Sequence, residues 1–364
     1  METHKKFVNE RKKILKKILK GKSLSWIDTN VSYDFLNKKN ILTPYKLGLI
    51  AKSLNNEITD KELTWLLYFI GYSYVPTKII TKYYPNVLIP SDSLDGRDLV
   101  KYFILKEGNN IFVTFRGTKT LWETISTLKY YRVKFGLLDD KKDFITWRNN
   151  LIDTNEFNNT RTPLIDDNDI EIHKGFLDEA NLIYKEVVQQ IAEIIDPTCK
   201  NTHVILCGHS LGGVLANIIG IYLSYYLRLA VKKEKLSVSI VTANMPPIGN
   251  KNFNLLIPYL SVKNYVRVYN YQDFVPYYGY YGSWIDSKKF RHLDFILKSD
   301  IDDNKEGRFV EGKIGNTKMY VKDLGKNLDD FLRKMHLGES SSFDKKYIYH
   351  DFFRVIKKNK TLFI

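Results

Sequence analysis

Ser210 stands in the run Val204-Ile-Leu-Cys-Gly-His-Ser-Leu-Gly-Gly-Val-Leu-Ala216. Four apolar residues lead into a Gly-x-Ser-x-Gly turn, and small residues open a helix behind it. Glycines at 208 and 212 remove side chains where strand and helix crowd each other. Ser210 can then occupy a strained turn with its hydroxyl exposed to a carbonyl carbon. A bare Gly-x-Ser-x-Gly is a weak signal; the strand before it and the helix start after it make this one specific. A serine hydroxyl is a poor nucleophile at neutral pH. It needs a histidine to take its proton and an acid to hold that histidine's tautomer.

Elbow serines of this kind occur in α/β-hydrolases, where the chain order is Ser, then Asp or Glu, then His. Asp273 is the favoured acid, because it ends the strand-like run Tyr265-Val-Arg-Val-Tyr-Asn-Tyr-Gln-Asp273 where a loop begins. Asp286 and Asp294 compete with it but follow no such strand. The histidines after Ser210 are His292, His336 and His350. His350 is favoured as the base; His336 follows an apparent helix, Leu328 to Met335, whose end it could cap. An oxyanion needs donors. One is the backbone N–H of Leu211, next to the serine. The other comes from an earlier strand end, where Phe115-Arg-Gly-Thr118 points to Thr118.

The elements around these residues alternate. Strands are expected over 99–105 and 111–115, joined by a hairpin turn at Glu107-Gly-Asn-Asn, and over 237–243 and 265–269. A helix is expected over 175–195, and the elbow strand and helix follow it. Two helices are expected over 41–84, with Thr59 and Glu62 as a capping box. The polar stretch 153–169 reads as a surface loop, and the pattern is weak from 298 to 346. This organisation predicts an α/β fold of the α/β-hydrolase kind: a mostly parallel central sheet flanked by helices, with an N-terminal helical extension. The division expected is a basic helical extension over 1–85 and a hydrolase domain over 86–364.

The formal net charge is +15, and lysine supplies 44 of the 56 basic residues. Such a charge favours anionic surfaces, phospholipid headgroups among them. Residues 5–22 carry nine basic groups and one acid, with apolar residues at helical spacing. That segment reads either as a helix packed by its apolar stripe, the commoner case, or as a peripheral membrane contact. Nucleic acid is not expected as a partner, since no zinc-finger spacing, RNA-recognition motif or basic zipper is present. The N-terminus has no apolar core of a secretory signal, and the two cysteines imply no disulfide framework. Both favour an intracellular location. Val214 to Val231 is the most apolar run; with Asn217 and Arg228 inside it, it reads as a buried helix rather than a membrane span.

Several segments, in order, resemble the class 3 lipases, the fungal and plant triacylglycerol lipase family. They are Ile111-Phe-Val-Thr-Phe-Arg-Gly-Thr118, Ile172-His-Lys-Gly-Phe-Leu-Asp178, Gly208-His-Ser-Leu-Gly-Gly213, Thr242-Ala-Asn-Met-Pro-Pro-Ile-Gly-Asn250, Arg267 to Pro276 and His350-Asp-Phe-Phe353. The likeness covers about 97 to 356 and is patchy after 276. It implies Ser210 as nucleophile, Asp273 as orienting acid, His350 as base, and Thr118 and Leu211 as the oxyanion hole, with His173 and His209 structural. It also implies a lid after the oxyanion turn, for which 119–135 is the candidate; Trp147 to Leu151 could occupy the same place. The histidine that usually follows the acid segment's proline in this family is missing from Tyr277-Tyr-Gly-Tyr-Tyr-Gly-Ser-Trp284.

The substrate implied is a lipid ester at a lipid–water interface, most simply an acylglycerol, with neither metal nor organic cofactor. A phospholipid is the alternative, which would make the activity that of a phospholipase A1. A catalytically silent, lipase-like binding module is the rival from another class; it is disfavoured because a serine, an acid and a histidine are all present.

Overall fold

Strand β5 (Thr202–His209) is buried at every residue, and its alternation explains the layers around it. Val204 and Leu206 point into one core, Ile205 and Cys207 into another. A strand covered on both faces belongs in the middle of a parallel sheet. The structure, a computed structural model, describes residues 41–56, 58–89, 101–118, 132–135, 170–196, 201–230, 236–260, 262–269, 275–277, 310–314 and 317–323.

Within them the main sheet also contains β1 (Tyr102–Glu107), β2 (Asn110–Phe115), β6 (Leu236–Ala243), β7 (Asn264–Tyr269), β8 (Val310–Ile314) and β9 (Thr317–Asp323). Their order is β1-β2-β5-β6-β7-β9-β8. From β2 to β9 the neighbours run parallel, and an antiparallel hairpin closes each edge. The expected β1–β2 hairpin is present. It turns at Gly108 and Asn109, where Gly108 takes a φ of 57°. The β8–β9 hairpin was not legible in its weak pattern. Its edge strand β8 is short and carries Glu311 and Lys313, as suits a sheet edge. A separate two-stranded ribbon joins β3 (Arg132–Lys134) to β4 (Glu171–His173).

One face of the sheet is covered by α4 (Lys174–Asn181), α5 (Tyr184–Ile194), α6 (Leu211–Ala230) and α7 (Lys251–Tyr259). The single helix expected over 175–195 is two. Ile183 N–H bonds Ala180 O at 3.1 Å, a tight turn, and its own carbonyl then starts α5. The apolar stripe of Phe176, Ala180, Tyr184, Val187 and Ile191 stays in phase across that turn, so periodicity alone does not reveal it. Helix α6 is apolar all round because it lies between the sheet and α4 and α5. It is the run Val214 to Val231 read as buried, and no helix among the described residues is long and apolar enough to cross a membrane.

The other face is covered by α1 (Pro44–Asn55), α2 (Asp60–Tyr72) and α3 (Thr77–Tyr83), three helices where two were expected. Pro76 and the turn before it separate the last two. Thr59 does not cap the α2 backbone as a capping box would; its hydroxyl donates to the Glu62 carboxylate instead. Leu47, Ile50, Leu63, Leu66, Phe69 and Ile70 share one core with Phe103, Phe112, Ile205, Val241 and Val266 of the sheet. Phe69 is fully buried, edge-on to Phe103 at 5.5 Å and to Phe112 at 5.6 Å. Truncating it in Phe69→Ala should cost about 3–5 kcal/mol of folding stability. Urea unfolding followed by fluorescence checks this, and a loss under about 1 kcal/mol would show that this layer is not part of the main cooperative core.

Candidate active site

The chain turns at Ser210 from β5 into α6 with a left-handed backbone, φ 55°. Such a conformation is strained for a serine and is held by neighbours. The Ser210 N–H donates to Ala243 O at 2.9 Å, and the Ser210 carbonyl accepts from Gly213 N–H at 3.0 Å. Glycine is required on either side. A Cβ on Gly208 would lie 2.1 Å from the Gly212 backbone, and one on Gly212 would lie 2.1 Å from Phe115 O. Strand β5, helix α6 and the end of β2 therefore touch backbone to backbone. Leu211 opens α6, so its N–H has no acceptor within the helix and sits at the positive end of the helix dipole.

The turn expected to supply an oxyanion donor approaches from β2. Arg116 is buried, Gly117 is buried and Thr118 is half-buried. A Cβ on Gly117 would fall 3.3 Å from the Ser210 Cβ and 2.7 Å from His209 O, which places this turn against the elbow. The structure thus brings together Ser210, Leu211 and the Gly117–Thr118 turn. It also adds a residue that the sequence did not disclose. Tyr74, at the end of α2, accepts from Gly117 N–H at 3.1 Å, and its hydroxyl lies 2.7 Å from His209 Nδ1. No local pattern marks Tyr74. It belongs to an apolar run that reads only as buried helix, and its partners lie far along the chain.

His173 and His209, expected to be structural, both sit in packed surroundings. His173 is buried, caps α4 by accepting from Phe176 N–H at 3.4 Å, and stacks on the Phe176 ring at 4.1 Å. Its strand lies beside the Asn244–Asn250 segment. His173 N–H donates to Ile248 O at 3.0 Å, and Asn250 N–H donates to Glu171 O at 3.0 Å. Two of the motif segments are thereby adjacent in space. His203, a third buried histidine, lies at the far end of β5, where its Nε2 is 2.7 Å from Ser239 Oγ. Cys207 is a free, fully buried thiol, and burial pushes it above the ordinary thiol range.

Strand β7 leads toward the favoured acid. It lies next to β6, whose carboxyl end already holds Ser210 and whose following residue, Asn244, donates to Val268 O at 2.9 Å. The chain therefore leaves β7 at Tyr269 on the elbow side of the sheet, ahead of a short turn at Val275–Tyr277. Asp273 itself lies outside the described residues, as do Asp286, Asp294, His292, His336 and His350. Residues 5–22, the loop 153–169 and Trp147 to Leu151 are likewise outside. Of the lid candidate, 119–131 are outside; its end is the strand β3 followed by Phe135, buried against Tyr222 at 5.7 Å and Phe253 at 5.1 Å.

Parallel strands, helices on both faces and a strained serine between β5 and α6 define an α/β-hydrolase fold. Residues 112–281 match the model of the class 3 lipase family. That stretch runs from β2 through the elbow and past β7, so just under half of the chain matches the class 3 lipases. Hydrolysis of lipid esters is the chemistry this match supports. No curated protein sequence matches the chain. Among solved structures it is similar to a fungal lipase in complex with an inhibitor, with 20% identity over 66% of this chain and 78% of that one, at a TM-score of 0.42. It is also similar to the triacylglyceride lipase of Rhizomucor miehei, with 19% identity, 65% and 79% coverage and a TM-score of 0.41. A lipase of Rhizopus microsporus var. chinensis shows 21% identity, 65% and 70% coverage and a TM-score of 0.37.

Burial holds the His173 imidazole down to about 3 and the His203 imidazole down to about 4, with Lys263 assisting in the second case. Both values lie below the unfolded one of about 6.5, so the unfolded chain binds more protons as acid is added. Stability should be level between about pH 7 and pH 8 and fall as pH drops from about 6.5 toward 4, by an amount on the order of several kcal/mol. Urea midpoints across that range test this. His203→Gln should flatten the decline, and an unchanged profile in that variant would show that the burial of His203 does not govern it.

Proposed function

We propose that the chain is a serine esterase that cleaves carboxylic esters of lipids, acylglycerols above all, through an acyl-enzyme on Ser210. The observation that carries this reading is the contact between two turns. The elbow at Ser210, with its φ of 55°, is packed against Gly117 at the end of β2. A tetrahedral intermediate on Ser210 Oγ then forms beside two backbone donors, the N–H groups of Leu211 and Thr118. Gly117 N–H is already engaged by Tyr74, which leaves Thr118 as the donor from that turn. The dipole of α6 adds positive potential at the same point.

In this reading Ser210 Oγ attacks the ester carbonyl carbon and its proton passes to His350. His350 then protonates the leaving alcohol. Asp273 holds the imidazole in the correct tautomer and stabilises its charged form. Water, deprotonated by His350, cleaves the acyl-enzyme and restores the serine. The path of β7 supports Asp273, because the chain reaches that residue from the elbow end of the sheet. The charge of +15 favours a second substrate reading, in which an anionic phospholipid is cleaved as by a phospholipase A1. Parallel turnover of emulsified triacylglycerol and of phosphatidylglycerol vesicles separates the two.

A fluorophosphonate probe should label the wild-type chain at one site and fail to label Ser210→Ala. Ester turnover should fall by at least about a thousandfold in Ser210→Ala and His350→Ala, and by far less in His336→Ala. Labelling that persists in Ser210→Ala would overturn the assignment of the nucleophile. A greater loss in His336→Ala than in His350→Ala would move the base to His336.

A further inference from the structure

Tyr74 belongs to a helical layer that lies outside the stretch matching the family model, yet its hydroxyl sits at the centre of the site. Helix α2 ends at Tyr72, and a tight turn follows, in which Tyr74 N–H donates to Gly71 O at 3.1 Å and Val75 N–H to Tyr72 O at 3.0 Å. Ser73 Oγ donates to Ile70 O at 2.8 Å and secures the same turn. The Tyr74 ring is 2% exposed and stands edge-on to the His209 ring at 5.9 Å. Its oxygen accepts from Gly117 N–H and pairs with His209 Nδ1. One oxygen thus joins the residue before Thr118 to the residue before Ser210. The fit is close, because a Cβ on Gly117 would lie 2.3 Å from that oxygen.

We propose that Tyr74 is a positioning residue that locks the oxyanion turn to the nucleophile elbow, so that the N-terminal helical layer sets the geometry of the oxyanion hole. This rests on the reading of Ser210 as the nucleophile. The bond from Gly117 N–H fixes the plane of the Arg116–Gly117 peptide. Glycine at 117 would otherwise leave the next peptide free to swing. With that plane fixed and Gly117 packed against His209 and Ser210, the peptide that carries the Thr118 N–H starts from a fixed point beside the elbow. The same bond occupies Gly117 N–H, so the turn offers Thr118 rather than Gly117 to the oxyanion. On the elbow side, a Tyr74 hydroxyl donating to Nδ1 leaves the proton of neutral His209 on Nε2 and holds its ring in place. Neither contact touches the substrate. Their effect falls on the distance between donor and developing charge, to which transition states are far more sensitive than ground states.

The test uses the full chain and a soluble short-chain p-nitrophenyl ester. Tyr74→Phe keeps the ring and removes both hydrogen bonds. Its kcat should fall by about 10- to 100-fold with KM within about threefold, and fluorophosphonate labelling of Ser210 should slow in parallel. Tyr72→Phe is the control. The Tyr72 hydroxyl lies in the same layer and accepts from Leu42 N–H at 3.0 Å, without reaching Gly117, and its turnover should equal that of wild type. If Tyr74→Phe fails to fold, as judged by circular dichroism, His209→Gln removes the elbow half of the same link and should show the same loss in kcat at constant KM. Wild-type turnover in Tyr74→Phe, or an equal loss in Tyr72→Phe, would overturn the proposal while leaving Ser210 as the nucleophile. Absence of Ser210-dependent labelling in the wild-type chain would overturn both readings.

Discussion

The backbone contact among β2, β5 and α6 is the constraint on which the rest of this structure depends. At Gly208 and Gly212 the strand and the helix approach so closely that no side chain fits between them. Gly212 also meets the carbonyl of Phe115, the last residue of β2. Two strand ends and one helix start are therefore fixed relative to each other by main chain alone. Ser210 must turn within that space, and a left-handed φ is the consequence. Such a conformation costs on the order of 1–3 kcal/mol. The hydrogen bond to Ala243 and the carbonyl contacts to the first turn of α6 offset that cost.

Holding a strained turn needs rigid elements on every side. Helix α6 supplies one by being buried on all faces over residues 211–225, with Tyr222 meeting Tyr184 at 4.6 Å on the helix side and Ile218 and Ile219 in the same core as Val204 and Leu206. A helix of that composition would read as a membrane span if it were longer and unpartnered. Packing between α4–α5 and the sheet makes the same apolar residues a scaffold for the elbow. The ribbon β3–β4 extends the scaffold. It ties His173 and Asn250 to each other's strands and seats Phe135 beside Tyr222.

What the sequence disclosed and what it hid follow from the range of the interactions. Strand alternation, the hairpin at Gly108 and the elbow at Gly208–Gly212 are local, and each was legible from residues within a few positions. The break between α4 and α5 was not, because the buried stripe continues in register across it. The β8–β9 hairpin was not, because its charged strands lack the continuous apolar pattern of β5 and β6. At Thr59 the residue types matched a capping box, but the hydroxyl found the carboxylate rather than the backbone. The turns that carry Ser210, Leu211 and Thr118 were legible because glycine spacing marks a turn whatever surrounds it. Tyr74 was hidden because its role rests on partners 43 and 135 positions away, and no periodicity spans that distance.

This difference in range bears on where the functional unit of the chain begins. The family model starts at residue 112, in β2, and so includes the elbow, the Gly117–Thr118 turn and β7. The face of the sheet beneath those turns is covered by residues 42–87, which the model does not include. Ile205, Cys207, Val241 and Val266 would lie open to water without them. Large apolar faces of that kind do not persist in isolated domains. The α1–α3 layer is thus part of the minimum fold on energetic grounds, before any role in chemistry is considered. Once it is present, the turn after α2 lies directly below Gly117, and a tyrosine there can reach both turns that a serine esterase must hold apart by a fixed distance. A layer needed to cover the sheet is in this way also placed to tune the site.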